Sequence, residues 1–118
     1  MKKNTGLKRI FLAGGYSLKG LKSAFKNEAA FRQEVILAAI LIPLACFLDV
    51  TKIERILLIA PLFLVVIIEI INSAIEAVVD RIGTEQHELS GRAKDMGSAA
   101  VFIALFLTAY IWLEILFL

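Results

Sequence analysis

The chain has 118 residues, of which 59% are hydrophobic and 20% are charged, and its formal net charge at neutral pH is +2. This composition is far more apolar than that of a soluble globular protein, and it indicates a single small membrane domain covering residues 1–118. The one cysteine, Cys46, excludes a framework of disulfide bonds.

Residues 1–34 are predicted to form an amphipathic helix that lies on the membrane surface. Leu21 and Phe25 share one face of this segment, and lysines flank that face, where they would meet anionic headgroups. Gly14 and Gly15 are expected to divide the segment into a short first piece and a longer second piece.

One acidic residue of this segment, Glu28, falls on the apolar face beside Leu21 and Phe25. Arg32 lies one helical turn further on and could form an ion pair with Glu28. A functional role for a carboxylate in this position fits the spacing equally well. The spacing alone leaves both interpretations open.

Three apolar stretches are predicted to span the membrane, at about residues 31–48, 56–79 and 99–118. Thr51 is a plausible N-cap for the second of these helices, since Ser and Thr side chains satisfy free backbone N–H groups at helix starts. Trp112 lies toward the outer end of the third span, where aromatic side chains anchor helices at the interface. Residues 80–98 are predicted to form a polar loop.

The distribution of cationic residues predicts the orientation of the chain. Eight Lys and Arg residues precede the first apolar run, which starts at Val35; two lie in the first connection, three lie between the second and third spans, and none follows the third. By the positive-inside rule, the N-terminus and residues 80–98 are expected to be cytoplasmic and the C-terminus external.

A polar stripe lies at the cytoplasmic end of the second span. Taking 100° per residue, its side chains fall within an arc of about 100° on one helix face. The members of this stripe are Glu69, Asn72, Ser73, Glu76 and Asp80. Because a carboxylate within lipid costs on the order of 3 kcal/mol, two glutamates seven residues apart favour a functional site over a purely structural role.

The common catalytic motifs of soluble enzymes are absent. The sequence has no G-x-x-x-x-G-K-[ST] phosphate loop, no soluble-kinase signature and no Ser-His-Asp or Cys-His set. His87, flanked by acidic residues, is more typical of a solvated loop residue than of a metal ligand.

The remaining polar residues favour a reaction between a membrane substrate and a water-borne anion. Carboxylates such as Glu69 and Glu76 suit Mg²⁺, because this ion is coordinated by few protein oxygens and by phosphate oxygens as well. Arg92 and Lys94 are suited to bind the phosphates themselves. A carboxylate held away from water suits the removal of a proton from a lipid hydroxyl. The residues alone name neither substrate.

Three strings of the sequence resemble the prokaryotic integral-membrane diacylglycerol kinase family. They are N-E-A-A-F-R-Q-E at residues 27–34, E-I-I-N-S-A-I-E-A-V-V-D-R-I-G at residues 69–83 and H-E-L-S-G-R-A-K-D-M-G-S-A-A-V at residues 87–101. The likeness covers nearly the whole chain. It implies an all-α membrane protein of the inner membrane, with an N-terminal amphipathic surface helix and three transmembrane helices per subunit. It also implies a homotrimer whose active sites form between neighbouring subunits, unrelated to soluble kinases.

The same resemblance implies roles for individual residues in the ATP-dependent and Mg²⁺-dependent phosphorylation of diacylglycerol. Glu69 would be the general base on the lipid hydroxyl, with Asn72 beside it, and Glu28 and Glu76 would hold the metal. The nucleotide would be contacted by Arg9, Tyr16, Glu28, Glu76, Glu85, Gln86, His87, Lys94 and Asp95. The lipid would be contacted by Arg9, Ala13, Glu34, Glu69, Ser98 and Trp112.

Departures from the family pattern concern the periphery of the site. Gln86 stands where relatives often carry an aromatic residue, and Leu18 replaces a tryptophan seen in close relatives. No proposed catalytic group is lost. The alternatives are an undecaprenol kinase of the same fold, an ion-conducting membrane oligomer, and a purely structural assembly.

Overall fold

The computed structural model describes residues 5–83 and 87–118 of the chain. These residues form four α-helices. They are α1 at Gly6–Asn27, α2 at Ala29–Phe47, α3 at Lys52–Ile82 and α4 at Glu88–Phe117. Three of them, α2, α3 and α4, are long and apolar enough to cross a membrane. The predicted all-helical membrane protein is confirmed at this level.

Helix α1 runs without interruption through Gly14 and Gly15, so the predicted break there is wrong. Glycine weakens a helix but does not forbid it, because its helical backbone conformation is fully allowed. The chain changes direction at Glu28 instead, which has an extended backbone (φ −116°, ψ 108°) between α1 and α2.

Helix α3 is the centre of the fold and contacts each of the other three helices. Its buried side comprises Leu58, Pro61, Leu62, Val65 and Glu69. The spacing of four, three and four residues from Leu58 to Glu69 keeps them on one helix face. The apolar core stripe therefore continues at its C-terminal end into the polar stripe that begins at Glu69.

The connection from α2 to α3 is fixed by polar contacts. Thr51 is the N-cap of α3, as predicted, and it forms a capping box with Glu54: Glu54 N donates to Thr51 Oγ1 (3.2 Å), and Thr51 N donates to Glu54 Oε1 (2.9 Å). Arg55 donates from Nε to the carbonyl of Ala45 (3.2 Å) and from Nη2 to that of Leu48 (3.0 Å). The bond to Ala45 satisfies a carbonyl at the end of α2, and the Leu48 carbonyl also accepts a hydrogen bond from Val50 N (3.0 Å).

Helix α4 begins at Glu88, eleven residues before the predicted third span. His87 is its N-cap, and Nδ1 of His87 accepts a hydrogen bond from Leu89 N (3.1 Å). Residues 88–98 are therefore helical and not part of a loop. Their polarity predicted a loop, but a polar sequence can extend a helix beyond the lipid when the helix start is capped.

Trp112 joins the C-terminal half of α4 to the N-terminal half of α3, since its Nε1 donates to the carbonyl of Leu58 (3.0 Å). Ala104, on the same helix as Trp112, is buried. Large apolar residues remain exposed along all three membrane-capable helices, among them Ile40, Phe63 and Phe106. Such exposure fits contact with lipid or with other subunits.

Candidate active site

Glu69 occupies an exceptional position for a carboxylate. Its exposed fraction is 5%, and it is the one buried polar or charged side chain among the described residues. The core stripe of α3 places it there, one turn beyond Val65. Because an isolated charge is costly to bury, this placement implies a function or a compensating partner.

Three other carboxylates, Glu34, Glu76 and Glu28, lie within electrostatic range of Glu69. We call these four residues the carboxylate cluster. Glu76 follows Glu69 by two turns on α3, whereas Glu28 is the N-cap of α2 and Glu34 lies in its second turn. The packing of α2 against α3 thus brings together residues about 35 to 50 positions apart in the sequence.

The carboxylate cluster suits a cation shared with an anionic ligand. Within residues 5–83 and 87–118, no group of three or more His, Cys, Asp or Glu side chains is placed to hold a metal ion. A complete protein cage is therefore not formed by these residues. Mg²⁺ does not require one, because it commonly takes one or two carboxylates and fills its remaining positions with water and phosphate oxygens.

Of the two interpretations left open for Glu28, the structure does not show the ion pair with Arg32. Nη1 of Arg32 donates instead to the carbonyls of Phe25 and Lys26, each at 2.9 Å. These carbonyls lie at the C-terminal end of α1, where the helix provides no backbone partners and where the helix dipole favours a guanidinium. A functional role for the Glu28 carboxylate remains a prediction.

Asn72 lies between Glu69 and Glu76 on the polar stripe. Its Nδ2 donates a long hydrogen bond of 3.4 Å to Oε1 of Glu76. Its Oδ1 is buried and has no hydrogen-bond partner. That oxygen faces α4 at Gly97, where an added Cβ would overlap it. Ser73, also on the stripe, donates from Oγ to the carbonyl of Glu69 (3.0 Å), which is an intrahelical bond.

Lys94 of α4 reaches across to the last turn of α3, where its Nζ lies 2.8 Å from Oδ1 of Asp80. Glu76 also attracts Lys94 electrostatically. A cation therefore lies beside the carboxylate cluster, at the C-terminal end of α3. This arrangement suits an anion that contacts both the Lys94 cation and a metal ion shared with the carboxylates.

An apolar groove of about 710 Å³ opens beside the cluster, between α1, α2 and α3. Phe31 and Val35, on either side of Glu34, form its α2 wall together with further apolar residues, and Val66 of α3 lies one turn from Glu69. Lys22 and Lys26 line its α1 side. The groove has the chemistry of a hydrocarbon-binding surface with cations at its edge.

The other residues predicted from the resemblance are distributed as follows. Arg9, Ala13 and Tyr16 are exposed on α1, and Asp95 and Ser98 are exposed on α4 close to Lys94. Trp112 lies fourteen residues beyond Ser98, about 21 Å along α4, and donates a hydrogen bond to α3. Glu85 and Gln86 lie outside the described residues.

Sequence reasoning missed Gly97 and the residues of the groove. The contact between Gly97 and Asn72 joins two helices, and no local pattern reports it. The groove had a partial signal, because Phe25 and Leu21 already stood out as one apolar face of α1. Which side of α2 and α3 this face meets depends on the turn at Glu28.

The family described as "Prokaryotic diacylglycerol kinase" matches residues 15–116 of the chain. A diacylglycerol kinase of Haemophilus influenzae is 62% identical over 117 residues, which cover 99% of each chain. A diacylglycerol kinase of Escherichia coli strain K12 is 61% identical over 108 residues, covering 92% of this chain and 88% of the relative. One from Pseudomonas aeruginosa is 56% identical over 115 residues, covering 98% and 94%.

Proposed function

The chain belongs to the prokaryotic diacylglycerol kinase family, and from this membership we propose that it transfers the terminal phosphate of ATP to diacylglycerol, forming phosphatidic acid at the cytoplasmic leaflet. The observation that carries the proposal is the burial of Glu69 within the carboxylate cluster. There the buried carboxylate lies between an apolar groove and a cationic entrance, as a reaction between a lipid and an anion requires.

Glu69 is the general base in this proposal. Its carboxylate removes the proton of the lipid hydroxyl, the hydroxyl oxygen forms a bond to the γ-phosphorus of ATP, and the bond from that phosphorus to the bridging oxygen breaks, releasing ADP. Asn72, one turn away, orients the reacting groups through its amide. The small exposed fraction of Glu69 supports this role, since water would otherwise compete for the phosphoryl group.

Glu28 and Glu76 are the proposed ligands of Mg²⁺. The donor set available at this position consists of carboxylate oxygens, which are hard ligands of the kind that Mg²⁺ prefers. The bound ion would neutralise charge on the phosphates of ATP. Without a cation, four neighbouring carboxylates would repel one another.

The nucleotide is proposed to lie at the cytoplasmic ends of α3 and α4, where Lys94 stands. Its remaining contacts are those predicted from the resemblance. They are Arg9, Tyr16, Glu28, Glu76, His87 and Asp95, together with Glu85 and Gln86 outside the described residues.

The apolar groove is the proposed place of one acyl chain, with the glycerol end toward Glu34 and Glu69. Arg9, Ala13 and Ser98 are proposed to surround the polar end of the lipid. Trp112 is too far along α4 to share that end, so we assign it to the acyl-chain region.

The assembly is proposed to be a homotrimer in the inner membrane, with a cytoplasmic N-terminus and an external C-terminus. The asymmetry of Lys and Arg supports this orientation. Exposed Leu7, Ile10 and Phe11 support a surface position for α1 with its apolar side in the interface. The exposed apolar faces of α2, α3 and α4 leave ample surface for neighbouring subunits, which would complete each site.

The test is transfer of labelled phosphate from ATP by the purified full-length chain in mixed micelles. Diacylglycerol and undecaprenol are compared side by side, with and without Mg²⁺. We expect Mg²⁺-dependent labelling of diacylglycerol in strong preference to undecaprenol. A preference for undecaprenol would retain the proposed base and metal but replace the substrate, and labelling of neither lipid by a folded oligomer would overturn the proposal.

A further inference from the structure

Gly97 is buried on α4 directly against the polar stripe of α3. A Cβ at this position would overlap Oδ1 of Asn72 and would lie 3.1 Å from its Cγ. Gly91, on the same helix, has nothing within 4 Å of the corresponding point. The two glycines of α4 therefore differ: a side chain at 91 meets open space, whereas one at 97 meets the amide of Asn72.

The amide of Asn72 is held between two surfaces. On one side its Oδ1 lies against the backbone of α4 at Gly97, buried and without a hydrogen-bond partner. On the other side its Nδ2 donates to Oε1 of Glu76 at 3.4 Å. Rotating the amide by 180° would point its oxygen at the Glu76 carboxylate. That orientation is disfavoured, because both groups are then acceptors and no hydrogen bond forms between them. The contact with Gly97 and the bond to Glu76 thus fix one orientation together.

We propose that Gly97 is a positioning residue for phosphoryl transfer: the absence of a side chain at 97 lets α4 seat the Asn72 amide so that it donates to Glu76 and holds that carboxylate in its working orientation. This inference rests on the proposed role of Glu76 as a metal ligand. Gly97 itself touches neither substrate nor metal. It acts through Asn72, in the way that outer groups orient the ligands of a metal.

Substitution of Gly97 by Ala separates this role from simple packing. The added methyl group would force Asn72 to rotate about its Cα–Cβ bond, since its amide is the flexible end of the contact. The helices need not move apart, but the bond from Nδ2 to Glu76 is lost. We expect the Mg²⁺ concentration for half-maximal activity to rise about tenfold, the factor that corresponds to losing a hydrogen bond to a charged group. The KM for diacylglycerol should stay unchanged.

Gly91→Ala is the matched control, with the same change on the same helix in open space, and it should leave the Mg²⁺ dependence as it is. A second readout needs neither ATP nor turnover. In ¹⁵N-labelled protein, the side-chain amide resonance of Asn72, assigned by its loss in Asn72→Ala, should shift in Gly97→Ala and stay in place in Gly91→Ala.

A double-mutant cycle tests whether Gly97 acts through Asn72. In an Asn72→Ala background the added methyl group meets no amide, so Gly97→Ala should cause no further change in the Mg²⁺ dependence. If Gly97→Ala alone does not fold, the double variant can still be compared with Asn72→Ala, because Asn72→Ala removes the overlap. A further loss of Mg²⁺ response in the double variant, or an unmoved Asn72 resonance in Gly97→Ala, would overturn the proposal.

The variant Glu76→Gln separates a failure of the positioning role of Gly97 from a failure of the metal-binding role of Glu76. If Glu76→Gln shifts the Mg²⁺ dependence and Gly97→Ala does not, only the positioning role of Gly97 is wrong. If Glu76→Gln itself leaves the Mg²⁺ dependence unchanged, the metal role of Glu76 is wrong, and the inference about Gly97 is overturned with it.

Discussion

Nζ of Lys94 lies 2.8 Å from Oδ1 of Asp80, so an ion pair joins α4 to the C-terminal end of α3. The two side chains remain 44% and 67% exposed, respectively. An ion pair this exposed contributes little to stability, because water and salt screen it. The exposed ammonium group is accessible to an arriving phosphate, as the proposed role of Lys94 requires.

We predict that Lys94→Ala and Asp80→Asn, which break the same ion pair, differ in their effects. Lys94→Ala should raise the KM for ATP at least tenfold, because a phosphate contact is lost. Asp80→Asn should change the KM for ATP by less than about threefold and should leave the rate of thermal inactivation close to that of the native protein. Steady-state kinetics and thermal inactivation of both variants in the same micelles provide the measurement. Equal effects on the KM would mean that Lys94 matters only through its pair.

Glu69→Gln should lower turnover by at least about a hundredfold, because the variant has no base at the lipid hydroxyl while its shape is conserved. The oligomer should form as in the native protein, as judged by size-exclusion chromatography and circular dichroism. Glu114→Gln, the same change at an exposed position near the other end of α4, is the control and should be fully active. Turnover close to normal in folded Glu69→Gln would remove Glu69 from the mechanism.

Glu76→Gln should raise the Mg²⁺ concentration needed for half-maximal activity by about tenfold or more, since one charged ligand is lost and an amide replaces it. The measurement is a Mg²⁺ titration at saturating ATP and diacylglycerol. Asp49→Asn removes one carboxylate from an exposed position in the connection between α2 and α3, and its titration should match that of the native protein. An unchanged titration for Glu76→Gln would count against metal binding at this residue.

Arg32→Met should loosen the end of α1 from α2, because both hydrogen bonds from Nη1 to the carbonyls of Phe25 and Lys26 are lost. Amide hydrogen exchange over residues 22–27 should accelerate by about tenfold, consistent with the loss of charge-assisted bonds that are partly exposed. The KM for diacylglycerol should rise as well, since this end of α1 lines the groove.

Arg81→Met removes an exposed arginine from the last turn of α3 and should leave exchange over residues 22–27 unchanged. Native exchange rates there in Arg32→Met would show that other contacts, such as burial of Ala24, hold α1 in place.

Much of the fold was predictable because its signals are local. Hydropathy alone identified three apolar segments, and the structure has three helices able to span a membrane. Helical periodicity placed Glu69 and Glu76 on one face, and α3 continues through both. The spacing of three residues from Thr51 to Glu54 is that of a capping box, and the structure has this capping box at the start of α3. In each case the determining interaction lies within one or two helical turns.

The wrong predictions have a common origin in competing local interpretations. Gly14 and Gly15 permit a turn as readily as a helix, and the helix continues. Residues 88–98 are polar enough for a loop, yet His87 caps a helix that includes them. Spacing left a pair between Arg32 and Glu28 open, and Arg32 donates to carbonyls of the preceding helix instead. Sequence spacing shows which local conformations and contacts are possible, but it does not show which of them has the lowest free energy.

The sequence by itself determined the four apolar or amphipathic segments, the polar stripe of α3 and the resemblance to a kinase family. Only the tertiary structure decided which residues meet across helices: Glu28 and Glu34 at Glu69, Lys94 at Asp80, and Gly97 at Asn72. The physical reason is the range of the interactions. Helix periodicity and capping are fixed by neighbours in the chain, whereas contacts between helices depend on how whole helix faces pack, to which each residue contributes only a small part.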